Sequence, residues 1–94
     1  MIILNKENGS TGSFYIKENG KELAEIVYRK EKDKIVIEHT EVDESLRGKN
    51  IGFDLVEKTV EYAREQRLKV QPDCKFAEKI IERHQQFHDV LYVS

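Results

Sequence analysis

Apolar residues in the first half of the chain fall in three runs that have the spacing of β-strands. The runs cover residues 14–16, 23–28 and 34–42, and they are rich in β-branched and aromatic side chains. Asn19-Gly20 stands between the first two runs, and this dipeptide is the strongest short signal for a tight hairpin turn. A second charged turn separates the last two runs. The pattern therefore predicts three antiparallel strands that form a meander.

After residue 50 the apolar spacing changes from two to three and four, which is typical of an amphipathic helix. This pattern predicts a helix over residues 52–66, with an inner face made of Leu55, Val56, Thr59, Val60 and Ala63. A short strand follows at residues 68–70 and is ended by Pro72. A second helix is predicted from residue 74 or 75 to residue 84, and Asp73 is placed to cap it. Its predicted inner face consists of Phe76, Ala77, Ile80 and Ile81.

The order of these elements predicts an α+β (mixed α/β) fold, β-β-β-α-β-α, with helices packed on an antiparallel meander. The 94 residues fit a single domain over residues 1–94. We expect residues 1–12 to be flexible, because they are polar and contain glycine after a short apolar start. We expect the apolar residues 90–93 to add an edge strand or to cover the core.

Charge and cysteine content narrow the class of protein. Sixteen basic and eighteen acidic residues give a net charge of −2 with mixed signs, which argues against a nucleic-acid-binding surface. The single cysteine fits a reducing compartment, and the four apolar residues at the start are too few for a signal peptide or a membrane span. We expect a cytoplasmic protein without membrane or nucleic-acid partners, as a monomer or a weak dimer.

A polar loop over residues 43–52 joins the third strand to the first helix. The N-terminus of a helix presents unpaired N–H groups, and with the helix dipole these attract phosphate. Arg47 and Lys49 add two cations, and Gly48 and Gly52 allow a ligand to come close to the backbone. The spacing is neither that of a Walker A loop nor that of the dinucleotide fingerprint. Spacing alone therefore leaves both an anion-binding loop and a solvated connection open.

Three segments together resemble a known superfamily. Arg47-Gly48-Lys49-Asn50-Ile51-Gly52 resembles the Arg/Gln-x-x-Gly-x-Gly/Ala loop that binds the acetyl-CoA pyrophosphate in GNAT-superfamily N-acetyltransferases. With His39-Thr40-Glu41-Val42 before it and Asp73-Cys74-Lys75-Phe76 after it, the chain looks like the small single-domain GNAT proteins over residues 13–92. Asn50 replaces the first glycine of the loop, and asparagine is the non-glycine residue that best tolerates a left-handed conformation.

The resemblance implies a fold in which the third strand diverges from the 68–70 strand and leaves a V-shaped gap. It implies acetyl-CoA as the co-substrate, with pantetheine in the gap beside the backbone near Glu41 and Val42. The acetyl acceptor implied is an amine that the sequence does not identify. The cofactor-binding residues implied are Val42, Arg47, Gly48, Lys49, Asn50, Ile51, Gly52, Cys74, Lys75 and Phe76.

Cys74 is the first catalytic candidate. It lies at the start of the second helix beside Lys75, and both the helix dipole and the cation favour the thiolate that attacks a thioester. In the proteins that the chain resembles, this cysteine is near the acetyl group and is regarded as a candidate catalytic residue. The alternative is a small buried hydrophobic side chain.

His39 and Glu41 are candidate bases. Histidine has an ordinary pKa near 6.5 and can take up a proton, but His39 shares a strand face with Ile35 and Ile37. That position also fits a hydrogen-bonded histidine in the core. Glu41, at the end of the strand beside the expected gap, can act directly or through water, or it is a surface carboxylate.

His84 and His88 are four residues apart, a spacing that chelates a metal when both lie on one helix. The helix is expected to end between them, and no carboxylate or cysteine pattern completes a ligand set. We therefore expect no metal, and histidines that interact with the C-terminal end of the helix dipole.

Two functions stay open. The first is an acetyltransferase, in which Cys74 takes the acetyl group or the amine attacks acetyl-CoA with help from Glu41 or His39. The second is a non-catalytic acetyl-CoA or acyl-CoA-binding or interaction module. The second is favoured by the Asn50 departure and by a chain too short for an elaborate acceptor pocket.

Overall fold

A computed structural model describes residues 1–93, which form a five-stranded sheet with two α-helices and two short 3₁₀-helices. The strands follow one another across the sheet in chain order, β1 to β4 antiparallel and β5 parallel to β4. The predicted α+β class and order are confirmed, with one strand added at the start. The elements are β1 (Leu4–Asn8), β2 (Thr11–Glu18), β3 (Lys21–Lys30), β4 (Lys34–Val42), α1 (Ile51–Gln66), β5 (Lys69–Pro72) and α2 (Lys75–Arg83), with 3₁₀-helices at Glu44–Leu46 and Gln85–Val90.

The predicted hairpin between β2 and β3 is confirmed. Asn19 and Gly20 both have positive φ, 51° and 78°. Two successive residues with positive φ give the backbone twist that joins two strands through a two-residue turn.

The N-terminus differs from the prediction. Part of the segment expected to be flexible is strand β1, which pairs with β2 from Leu4↔Tyr15 to Asn8↔Thr11. All five of its residues are exposed, so it lacks the buried alternation that predicts a strand. Its link to the rest of the domain is polar, because the Glu7 carboxylate accepts hydrogen bonds from the Tyr28 hydroxyl (2.6 Å) and the Tyr62 hydroxyl.

A β-bulge in β4 reverses its alternation. β3 pairs Val27 with His39 and Tyr28 with Ile37, so Glu38 is an extra residue without a partner. Ile37 lies in the core, whereas His39 points to the opposite face of the sheet with its side chain 57% exposed. The prediction that His39 shares a face with the preceding isoleucines is therefore wrong, and so is the core position that it implied.

Both helices pack on one face of the sheet. The predicted inner face of α1 is confirmed, and all five of its residues are buried. In α2, Ala77 and Ile81 are buried, but Phe76 is 43% exposed. The residue that caps α2 is Cys74 and not Asp73, whose carboxylate instead accepts a hydrogen bond from the Gln71 side chain (2.9 Å).

Of the two roles expected for the C-terminal residues 90–93, covering the core is the one observed, and no edge strand forms among them. Val90 is buried, and Leu91 forms a single parallel bridge with Val70 at the outer edge of β5. Within residues 1–93, neither helix has the length and apolar content that a membrane crossing needs.

Candidate functional site

A cleft of about 1310 Å³ lies beside the end of β4, where β4 and β5 separate. Their parallel pairing runs only from Lys34↔Lys69 to Ile37↔Pro72. Pro72 has no N–H group to continue a ladder, and the last bond across is from the Asp73 N–H to the Ile37 carbonyl (3.0 Å). β4 continues to Val42 beside β3 but without β5. This is the divergence of the two parallel strands that the resemblance implies.

The edge of β4 that faces this gap carries backbone groups without a partner strand. The Asp43 N–H donates to the Leu23 carbonyl on β3 (2.7 Å). Because successive peptide groups of a strand point in alternating directions, the N–H and C=O groups of Thr40 and Val42 point away from β3. β5 ends before it reaches them. This edge can therefore pair with an extended ligand that contains amide groups.

The loop between β4 and α1 presents the N-terminus of α1 to the cleft. Gly48 and Asn50 have positive φ, 80° and 62°, and Asn50 is the N-cap of α1. The asparagine therefore adopts the left-handed conformation expected of it. The Asn50 side chain makes no capping hydrogen bond, so within residues 1–93 the first N–H groups of α1 are left without the partner that an N-cap side chain usually supplies.

The loop is anchored where it leaves β4. The Asp43 carboxylate accepts hydrogen bonds from the hydroxyl (2.6 Å) and the N–H (3.0 Å) of Ser45. These bonds hold the pKa of Asp43 below its ordinary value. Leu46, three residues along, is buried in the core. The loop is thus fixed before it reaches Arg47.

Gly52 is the point at which α1 touches α2. A Cβ atom built on Gly52 would lie 2.3 Å from Cζ of Phe76. The sequence analysis assigns Gly52 to the close approach of a ligand, but in the structure the ring of Phe76 makes that approach. The same ring lines the cleft, so it forms a wall beside the first turn of α1.

Cys74 lies half-buried behind Thr40, with its Sγ 3.6 Å from the Thr40 hydroxyl. Burial raises the pKa of the thiol, but hydrogen bonding by the Ala77 N–H, the Thr40 hydroxyl and the Phe76 N–H outweighs burial and lowers the pKa below its ordinary value. The pKa of Cys74 is therefore lowered, as predicted, but these hydrogen-bond donors lower it rather than the Lys75 ammonium. Thr40 lines the cleft, and Cys74 itself is outside the lining.

The two candidate bases form a pair near the end of β4. His39 Nε2 is 3.3 Å from Glu41 Oε1, and the two side chains are 57% and 74% exposed. Glu41 is part of the cleft lining and His39 is not. The structure therefore places Glu41 at the cleft and His39 beside Glu41, outside the cleft lining.

Most of the predicted binding residues meet at the cleft. Those that line it are Val42, Arg47, Gly48, Asn50, Ile51, Gly52 and Phe76. Lys49 and Lys75 are exposed and lie outside the lining, as Cys74 does.

A stripe of α2 lines the cleft, and Phe76 is its only member among the predicted binding residues. Phe76, Lys79, Ile80, Arg83 and His84 all line the cleft. Their spacing of three and four residues places them on one helix face. This regular spacing is the signal that predicts such a stripe, but it does not show which of the elements nearby the stripe faces.

Both histidines contact the C-terminal end of α2, His84 as its C-cap and His88 from the 3₁₀-helix that follows. His84 Nδ1 is 2.7 Å from the Ile80 carbonyl, and His88 Nε2 is 2.7 Å from the Ile81 carbonyl. Both rings therefore contact carbonyl groups at the C-terminal end of the helix. In the described part of the chain, no three side chains of the histidine, cysteine, aspartate or glutamate type come together as metal ligands.

An antiparallel meander that opens into a gap beside a parallel strand, with a helix N-terminus at the gap, defines an N-acetyltransferase-like fold. A family profile described as GCN5-related N-acetyl-transferase matches residues 13–90. The chain belongs to this family. A search of curated protein sequences gave no significant match.

Two solved structures show the same fold. A GCN5-like candidate N-acetyltransferase from Staphylococcus aureus, solved by NMR, has 34% sequence identity and a TM-score of 0.72, over 97% of this chain and 89% of that one. Ribosomal-protein-alanine N-acetyltransferase from Brucella melitensis biovar Abortus 2308 has 14% identity and a TM-score of 0.68, over 90% of this chain and 65% of that one. The second likeness, at its low identity, shows the fold alone.

Proposed function

We propose that the protein is an N-acetyltransferase that binds acetyl-CoA in the cleft beside β4 and transfers the acetyl group to an amine. One observation carries the proposal: the β4–β5 pairing ends at Ile37↔Pro72 and leaves the edge of Val42 unpaired, in the same cleft as the first turn of α1. An amide-containing chain that ends in phosphates matches both features at once. Acetyl-CoA is such a molecule.

The binding mode follows from the groups available. The pantetheine arm adds to the edge of β4 as a short strand, with one of its amides on the backbone of Val42. The pyrophosphate accepts hydrogen bonds from the first-turn N–H groups of α1, which Gly48 and Asn50 position. Arg47, on the same lining, adds a cation, and the exposed Lys49 adds longer-range attraction.

Two chemical routes use this site. In the direct route the amine nitrogen attacks the thioester carbonyl carbon, the carbon–sulfur bond breaks, and CoA leaves as a thiolate. The proton lost by the amine goes to Glu41 directly or through water, and His39 acts as the hydrogen-bond partner of that carboxylate. Glu41 is on the cleft lining, which supports its role as the base.

In the two-step route the Cys74 thiolate attacks first, and CoA leaves as a thiolate. The amine nitrogen then attacks the carbonyl carbon of the acetyl group on Cys74, the carbon–sulfur bond breaks and the Cys74 thiolate leaves, and the amine proton goes to Glu41 directly or through water. The lowered pKa of Cys74 supports this route. The position of Cys74 behind Thr40 means that the acetyl group has to pass the Thr40 side chain to reach it.

The same position of Cys74 favours a second candidate function, an acyl-CoA-binding module without turnover. The replacement of the first loop glycine by Asn50 is a weaker argument for such a module than the sequence indicates. Asn50 has the left-handed conformation that a glycine there would supply, so the departure from the family loop does not disturb the backbone.

Calorimetry with acetyl-CoA and CoA, followed by detection of free CoA thiol with amine acceptors, tests the proposal. We expect binding, and release of CoA that depends on an amine such as a polyamine, a peptide N-terminus or a lysine peptide. Gly48→Glu should abolish binding, because it places a carboxylate beside the pyrophosphate, and Lys58→Glu on the far part of α1 is the charge control. Binding without acetyl loss would favour the module, and no binding would overturn both candidates.

A further inference from the structure

We propose that Lys79 and Arg83 on α2 form a second phosphate site, which binds the phosphomonoester on the nucleotide end of the CoA thioester. The inference rests on the proposed function and goes beyond it, because it concerns which thioesters the protein accepts. A protein with this site takes acetyl groups from CoA and discriminates against thioesters that carry only phosphopantetheine, as acyl carrier proteins do.

The position of the site follows from two contacts between α2 and α1. The Phe76 ring lies against Gly52, where a Cβ would be 2.3 Å from Cζ of the ring. About two helical turns further on, the His84 ring centroid is 4.6 Å from that of Phe53. These contacts hold one face of α2 along the first turn of α1. Lys79 and Arg83 lie between the contacts on the cleft lining.

The charges on this wall lack protein partners. Among residues 1–93, ion pairs with carboxylates are made by Lys6, Arg29, Lys30, Lys34, Lys58 and Arg64. Lys79 and Arg83 are exposed on the cleft lining and make none of these pairs. An unpaired guanidinium is well suited to a phosphate, which it binds through two parallel N–H···O bonds.

The opposite wall of the cleft has the opposite sign. The acidic residues on the lining come from β3, from the end of β4 and from the loop, and they are Glu22, Glu25, Glu41, Asp43 and Glu44. A ligand with several phosphates is therefore driven toward the α2 wall by attraction on one side and repulsion on the other. The second phosphate group of such a ligand meets Lys79 and Arg83.

The aromatic residues that share the cleft lining with Arg83 indicate what the phosphate is attached to. His84 is half-buried, its Nδ1 is held 2.7 Å from the Ile80 carbonyl, and its ring packs against Phe53. Two fixed aromatic rings beside a phosphate site provide a surface on which a purine ring can pack. The ligand class is therefore a phosphorylated purine nucleoside.

Calorimetry with three donors tests the inference: acetyl-CoA, acetyl-3′-dephospho-CoA and S-acetyl-4′-phosphopantetheine. For the unaltered protein we expect acetyl-3′-dephospho-CoA to bind about tenfold more weakly than acetyl-CoA. One charge-assisted contact to the 3′-phosphate accounts for a difference of this size. In Arg83→Gln the first two donors should bind almost equally, and in Lys79→Gln the ratio should fall partway. Lys58→Gln, a matched change outside this wall, should keep the ratio of the unaltered protein.

The outcomes separate this inference from the proposed function. Acetyl-CoA that binds in the cleft, with a 3′-phosphate contribution unchanged in both variants, would overturn the second phosphate site and leave the acetyltransferase proposal standing. Equal binding of all three donors to the unaltered protein would overturn it as well. Failure of all three donors to bind would overturn both, and circular dichroism of each variant establishes that it is folded.

Discussion

Replacing Gly52 by alanine places a methyl group against the ring of Phe76. The new Cβ would lie 2.3 Å from Cζ, 2.6 Å from Cε2 and 3.2 Å from Cε1 of that ring. Carbon atoms in contact are normally about 3.5–4.0 Å apart, so the ring has to move by more than about 1 Å. Overpacking of this kind costs about 1–3 kcal/mol. Phe76 is 43% exposed and can turn toward the cleft, which places the cost at the lower end of that range.

The helix itself gains from the change. Alanine is favoured over glycine in a helix by up to about 1 kcal/mol, and by less in the first turn. We therefore expect Gly52→Ala to lower the free energy of unfolding by less than about 1 kcal/mol, because the helix gain offsets part of the overpacking cost. We also expect weaker binding of acetyl-CoA, because the displaced ring enters the cleft.

Urea denaturation followed by far-UV circular dichroism measures the effect, and the Phe76→Ala background is the control. Without the ring the methyl group has room, so Gly52→Ala in that background should leave stability unchanged or raise it. The coupling between the two positions should then be about 1 kcal/mol or more, as expected for residues in contact. An equal cost of Gly52→Ala in both backgrounds would refute the contact as the reason for a glycine at position 52.

Three further predictions follow from the strand edge, the thiol and the N-terminal strand. Val42→Pro should weaken acetyl-CoA binding, measured by calorimetry, more than about tenfold. It should not unfold the sheet, because the N–H that proline removes points away from β3. Val42→Ala should bind acetyl-CoA nearly normally. Thr40→Val should raise the pKa of Cys74, because it removes a hydroxyl donor, and the thiol should then react more slowly with a small disulfide at pH 6.5. Thr40→Ser should keep the rate of the unaltered protein. Equal rates in all three proteins would exclude the Thr40 contact as a cause of the lowered pKa. Hydrogen bonds from the Tyr28 and Tyr62 hydroxyls lower the pKa of Glu7, so its contribution to stability is complete above its ordinary pKa of 4.5 and is lost as the pH falls through the lower folded value. Glu7→Gln should therefore lower the urea midpoint at pH 7 and have less effect at pH 3, and an equal effect at both pH values would contradict this reasoning.

Local patterns in the sequence account for most of the fold. The runs of β-branched and aromatic residues in β2 to β4, the period of three and four in α1, and Asn19-Gly20 each determine a local structure with little help from the rest of the chain. These are the features that the structure confirms. The left-handed conformation of Asn50, with a φ of 62°, was also expected, because asparagine is the non-glycine residue that best tolerates it.

What the sequence did not predict depends on contacts between distant residues. Strand β1 is exposed along its whole length, and Glu7 is held by Tyr28 and Tyr62, which are 21 and 55 residues away. The bulge at Glu38 adds one residue and turns His39 to the other face, and no residue type in the sequence marks it. The role of Gly52 depends on Phe76, which only the packing of α2 on α1 brings to it.

The candidate site divides in the same way. Its backbone half, the edge of β4 and the first turn of α1, was expected from the family resemblance. Its side-chain half could not, because the wall made by Lys79 and Arg83 depends on the orientation of α2. The place of Cys74 behind Thr40 likewise depends on where β4 and β5 separate.

The central claim is that acetyl-CoA occupies the gap between β4 and β5, and the most direct test is an NMR titration of the ¹⁵N-labelled protein with acetyl-CoA. The amide signals of Val42 and of residues 47–52 should shift most, those at the start of α2 should follow, and those of β1 should barely change. Saturating shifts centred elsewhere, such as the hollow between Phe14 and Tyr62, or no shifts at millimolar acetyl-CoA, would contradict the account.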